Sequence, residues 1–126
     1  MIGSTRNIRV FAYGAPADLR KGFDGLAGLV QGEMGRDALS GDCFLFTNRN
    51  RTRAKVLVWD GTGLCIYMKR LEEGRFACLW RDDDGDDVEL SQSELSLFLE
   101  GSTLVGRTSL SPQRTGRRSL AERRNV

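Results

Sequence analysis

The sequence predicts an α+β domain with a mainly antiparallel sheet of four to five strands, one longer N-terminal helix and one short C-terminal helix. Three observations lead there. An apolar stripe at helical spacing follows an early β-branched segment. Several strand-like runs then succeed one another with turn signals between them. An S-x-x-E cap opens a short closing helix. Strands that meander between flanking helices suit an antiparallel sheet with helices packed on it.

Taken in order, IRVFAY (Ile8–Tyr13) is β-branched and aromatic, is bounded by Gly14, and predicts the first strand. Pro16 and Asp18 then open a helix, with Asp18 as the expected N-cap. Leu19, Phe23, Leu26, Val30 and Met34 follow at spacings of three and four residues and so share one helical face. Gly22, Gly25, Gly28 and Gly32 cluster on the other side, where each weakens the helix by roughly 0.5–1 kcal/mol relative to alanine. That bare face is either a weak solvent side or a smooth surface that a partner's backbone can approach. RDALSGD (Arg36–Asp42) is a loop and CFLFT (Cys43–Thr47) a second strand. AKVLVWD (Ala54–Asp60) and LCIYMKRL (Leu64–Leu71) flank Asp60-Gly61-Thr62-Gly63 and predict a hairpin. RFACLW (Arg75–Trp80) reads as a further strand and DDDGDD (Asp82–Asp87) as a polar loop. Ser91 and Glu94 form the capping box of the last helix, Leu95, Phe98 and Leu99 its buried stripe, and Gly101 its C-cap.

With 126 residues the chain suits one domain of ordinary size. Its 40% hydrophobic and 29% charged residues are those of a soluble globular protein. No apolar run approaches a membrane span and no secretory leader opens the chain, so no membrane partner and a cytoplasmic location are expected. Residues 102–126 hold six arginines against the single Glu122. The expected organisation is therefore a mildly acidic domain over residues 1–101 and a basic, disordered tail over 102–126. The odd set Cys43, Cys65 and Cys78 gives no disulfide framework, and each is expected to be a small buried hydrophobe.

The most unusual stretch is TNRNRTRAKVLVWDGTG (Thr47–Gly63), with a cation at every second residue: Arg49, Arg51, Arg53 and Lys55. Read as one strand, these share a face with Leu57 and Trp59, and the hairpin adds Leu64, Ile66, Met68 and Arg70 to that face. Same-face residues lie about 6.6 Å apart along a strand, a pitch suited to a polyanion with repeated phosphates. Arginine adds a planar fork for phosphate, and Asn48, Asn50 and Thr52 add neutral donors. Arg20 and Lys21 could extend the surface from the first helix. The competing reading is a solvated hairpin end whose arginines pair with Asp82–Asp87 or with Glu72 and Glu73.

Catalysis is not expected. There is no histidine, and no G-x-S-x-G, P-loop or paired-cysteine motif. The acidic loop lacks the glutamate that a calcium loop carries at its twelfth position, since Ser93 stands there. No metal and no cofactor are therefore expected. The weakest alternative is a nuclease using Asp24 and Asp60.

The segments RVFAYGAPADLRKGFDGLAGLV, LSGDCFLFTNRNRTRAKVLVWDGTGLCIYMKRLEEGRF and VELSQSELSLFLEG together resemble the Orf2-like accessory proteins, also called TnpB, of IS66-family insertion sequences. The resemblance covers about Ile8 to Gly101. It matches Arg20, Lys21, Gly22, Asp24 and Gly25, the cation row, Trp59, Asp60 and Gly61, and Lys69, Arg70 and Arg75. It implies a non-catalytic protein of a bacterial mobile element, distinct from the longer RNA-guided nuclease of the same name. A separate DDE transposase would carry the strand-transfer carboxylates. The implied partners are DNA at the element ends and the cognate transposase. DNA contact is expected through Arg49, Arg51, Arg53, Lys55 and Arg70, with Arg20 and Lys21. The alternative is a protein–protein adaptor for the transposase with no DNA affinity of its own, using the glycine face and an exposed Trp59 or Trp80.

Overall fold

A computed structural model describes residues 7–80 and 86–101. The predicted tail, residues 102–126, and most of the acidic loop lie outside the described residues. The chain runs β1 (Val10–Ala12), α1 (Phe23–Gly32), β2 (Cys43–Thr47), β3 (Arg53–Trp59), β4 (Leu64–Arg70), β5 (Val88–Leu90) and α2 (Gln92–Leu99). The five strands form one sheet in the order β4-β3-β2-β1-β5.

The sheet is mixed rather than mainly antiparallel, because β1 and β2 pair in parallel while the other pairs are antiparallel. Parallel neighbours need a long crossover, and α1 is that crossover. The five strands also differ from those expected. Arg75–Trp80 is not a strand. Phe76, Ala77 and Leu79 are buried as an apolar strap packed on one sheet face, and Phe76 stacks on Phe98 of α2 with ring centroids 4.9 Å apart. The fifth strand is β5, only three residues long, which is too short for its alternation to be read from sequence.

Alternation in β1, β2 and β3 sends side chains into two cores. Phe11, Phe44, Phe46 and Leu57 pack under Leu26, Val30 and Met34 from α1 and the turn after it. Val10, Leu45, Val56, Val58, Val88 and Leu90 pack under the Phe76–Leu79 strap and Phe98. The sheet is thus covered on both faces.

The first helix departs from expectation at its start, and the second does not. α1 begins at Phe23, with Gly22 as an N-cap that offers no side-chain bond. Asp18 does not cap it. Its carbonyl accepts from Lys21 N at 3.1 Å and its carboxylate from Arg20 N at 3.0 Å, which winds residues 18–21 into a separate turn. Phe23 consequently leaves the buried stripe and is 50% exposed. In α2 the capping box forms as expected: Glu94 N donates to Ser91 Oγ and Ser91 N to Glu94 Oε1.

The β2–β3 connection is a turn over Asn48–Thr52. Asn48 Oδ1 accepts from Thr52 N at 2.9 Å and from Arg53 N at 3.1 Å, while Asn48 Nδ2 donates to Thr52 Oγ1. Arg51 takes the left-handed conformation at φ 61°, unusual for a residue with a side chain. It is held there from the strap, because Phe76 N donates to Arg51 O at 2.7 Å and Arg51 Nη1 donates to Phe76 O at 3.2 Å.

Three outcomes test this fold. A Cβ at Gly28 would meet nothing within 4 Å, so Gly28→Ala is expected to stabilise the domain by roughly 0.5–1 kcal/mol in thermal denaturation. Asn48→Ala removes the side-chain acceptor of the β2–β3 turn and is expected to destabilise by about 1–3 kcal/mol in urea titration. Burial pushes the Glu94 carboxyl above the usual carboxylate range. Its contribution to stability is therefore full below the ordinary glutamate pKa and is lost as pH rises through the raised value. NMR titration of the Glu94 carboxyl should show the raised midpoint.

Candidate nucleic-acid interface

The expected face of the β3–β4 hairpin is present. Its register sets Arg53 opposite Arg70, Lys55 opposite Met68, Leu57 opposite Ile66 and Trp59 opposite Leu64. Leu57, Leu64 and Ile66 pack with the α1 core, so the apolar end of the face lies under the helix. Arg53 and Arg70 at the other end are exposed. Two cations directly opposite each other across strands repel, a strain that water or an anion relieves.

α1 also brings a second part of the chain to this end. Lys55 Nζ donates to Lys21 O at 2.9 Å, linking β3 to the segment that leads into the helix. The Lys21 stem lies across Gly25, where an added Cβ would come within 2.8 Å of Lys21 Cβ. Gly25 therefore makes room for Lys21, a local role that sequence reading of the glycine face missed.

The continuous cation row does not exist as a strand. β3 starts at Arg53, and Arg49 and Arg51 belong to the turn before it. Arg49 is exposed near the turn's tip, whereas Arg51 is directed back onto the Phe76 carbonyl. The Asn48-to-Thr52 composition is a turn signal in its own right, because asparagine side chains bond to the backbone of following residues.

Of the seven cations proposed from sequence, two hold carboxylates within the molecule. Arg20 forks onto Asp18 at 2.9 and 2.8 Å, and that guanidinium holds the Asp18 carboxyl well below its usual range. Arg70 Nε meets Glu72 at 3.1 Å, but both side chains are exposed, and such pairs contribute little. Among the described residues no carboxylate pairs with Arg49, Arg51, Arg53, Lys55 or the Lys21 ammonium. The geometry thus gathers Arg53, Lys55, Arg70 and Lys21, with Arg49 on the adjoining turn. It turns Arg20 toward Asp18 and Arg51 toward the strap.

Of the two carboxylates weighed for a nuclease, Asp24 is exposed in the first turn of α1 and Asp60 has other bonds. Asp60 accepts from Thr62 N, Thr62 Oγ1 and Gly63 N and so fastens the β3–β4 turn, and these bonds lower its pKa. The buried Asp87 accepts from Gly14 N at 3.1 Å. Among the described residues no group of three or more His, Cys, Asp or Glu could hold a metal. Nor is any helix among them long and apolar enough to cross a membrane. Cys43 is buried as expected, but Cys65 is exposed, with its thiol 3.5 Å from Asp60 Oδ2. Trp59 and Trp80 are both half-buried, so neither offers the exposed contact expected of an adaptor.

The family described as IS66 Orf2 like protein matches residues 8–108. Uncharacterized protein y4hO of Sinorhizobium fredii (strain NBRC 101917 / NGR234) is 37% identical over 101 residues, covering 80% of this chain and 86% of the relative. Uncharacterized protein y4jC of the same strain is 33% identical over 101 residues, covering 80% of this chain and 85% of the relative. No solved structure matches. With nearly the whole described fold inside the matched span, this chain belongs to the IS66 Orf2-like family of insertion-sequence accessory proteins.

Proposed function

We propose that this protein is a non-catalytic accessory factor of its insertion sequence that assists a separate DDE transposase by binding DNA at the element ends. The observation that carries this reading is the cluster of Arg53, Lys55, Arg70 and Lys21 at the open end of one sheet face, beside Arg49. Arg49 and Arg53, exposed and without carboxylate partners among the described residues, are well suited to phosphate, which a guanidinium meets as a bidentate fork. Asn50 and Arg49 on the same exposed turn add donors for the sugar–phosphate backbone.

A second reading, a protein–protein adaptor for the transposase, draws on α1. Phe23 is 50% exposed at the start of that helix, and Gly28 and Gly32 leave open space on its outer side. A partner helix could approach closely there.

Fluorescence anisotropy with element-end duplex across a salt series separates the two. Phosphate contact gives a linear fall of log K with log salt, with a slope of about −0.9 per phosphate neutralised. Changing Arg49, Arg53 and Lys21 together to alanine is expected to flatten that slope by about 2–3 and weaken binding evenly across sequences. An unchanged slope overturns the DNA reading. Binding that appears only when transposase is added supports the adaptor.

A further inference from the structure

Among the described residues no strand pairs with the outer edge of the sheet at β4. β4 is seven residues long and carries no proline, and on it Tyr67 is 54% and Met68 60% exposed, one on each face. The opposite edge strand, β5, is three residues and buried. Long unpaired edges with exposed apolar residues template pairing with another strand.

The phase of that edge follows from the ladder. Leu71 N donates to Thr52 O, and the register pairs Arg53 with Arg70. The residues bonded inward to β3 are then Cys65, Tyr67 and Lys69. Leu64, Ile66, Met68 and Arg70 direct their N–H and C=O groups outward.

We infer that β4 pairs antiparallel with β4 of a second copy, about a two-fold axis at Tyr67, to make one continuous sheet. In that register Leu64 faces Arg70 of the partner copy and Ile66 faces Met68, so every outward backbone group is satisfied. All seven residues of the strand take part. No two like charges stand opposite each other. Tyr67 meets its own symmetry mate at a non-hydrogen-bonded position, where side chains come closest.

Charge selects a second copy over an unrelated strand. Lys69 would face Cys65 of the partner copy. Within one molecule the Cys65 thiol lies 3.5 Å from Asp60 Oδ2, so that carboxylate stands on the same face as Cys65. Each Lys69 would therefore come beside an Asp60 of the other copy, twice by symmetry. The β3–β4 hairpin supplies both halves of this match by itself, Lys69 from β4 and Asp60 from the turn. The inference does not rest on the DNA reading. If both hold, the two basic ends share one sheet face, with the Arg70 positions about 20 Å apart along the strand direction.

Sedimentation equilibrium of the purified chain tests it, with a concentration-dependent monomer–dimer equilibrium as the expected result. Tyr67→Lys sets two ammonium groups side by side at the axis and should raise the dissociation constant at least about tenfold, a change of about 1.4 kcal/mol. Met68→Pro removes an outward N–H and spares the β3 ladder, and should give a monomer. Where Cys43, Cys65 and Cys78 are replaced by alanine, Tyr67→Cys should oxidise to a disulfide-linked dimer, since facing non-bonded positions lie about 4.5 Å apart at Cα. Met68→Cys should not, because it faces Ile66. A wild-type chain that stays monomeric throughout its soluble range overturns the inference, as does equal cross-linking at both positions. If the cysteine-free chain does not fold, the wild-type and Tyr67→Lys sedimentation results decide.

Discussion

Phe11, Phe44 and Phe46 need a cover on one side of the sheet, while Leu45, Val56 and Val88 need another on the opposite side. Two-sided burial of the central strands is the constraint from which the rest follows. It accounts for the crossover helix on one face and for the strap and closing helix on the other. Fully burying a side chain of this size stabilises by roughly 1.5–3 kcal/mol, so neither cover is dispensable. The parallel β1–β2 pair is the geometric consequence, because a helix that must lie over the sheet between adjacent strands returns the chain in the same direction.

The basic cluster is a by-product of that cover. α1 blankets Leu57, Leu64 and Ile66 and stops short of the far end of the hairpin. The segment that enters the helix is thereby set beside β3, where its Lys21 carbonyl takes the Lys55 ammonium. Arg53 and Arg70 lie beyond the covered region and stay in water, where unpaired charge is tolerated. The opposite cover shapes the neighbouring turn. Phe76 must be buried against Phe98, and its backbone then fixes Arg51 in a left-handed conformation that asparagine or glycine would adopt more readily. Arg51 is thus committed to holding the strap and Arg49 to the solvent, although the two looked equivalent in the sequence.

Much of this was legible beforehand. The β3–β4 register follows from alternation and from Asp60-Gly61-Thr62-Gly63, because a tight turn leaves few ways to pair its flanks. The Ser91–Glu94 box is a purely local bond pattern and could be read directly. The turn at Asn48 was obscured by the regular spacing of cations, which imitates a strand. Arg75–Trp80 was misread because an apolar strap and a buried strand have the same composition. The two differ only in whether the backbone meets a neighbour's ladder, which is not a local property.

From its own residues the chain determined its family, its helical and strand periods, its hairpin and the segment where positive charge accumulates. These rest on interactions between residues close in sequence. Tertiary structure alone decided that β1 and β2 run parallel, that β5 rather than residues 75–80 completes the sheet, and which cations stand together. Those outcomes depend on how distant segments share two apolar faces, and no local pattern encodes that division.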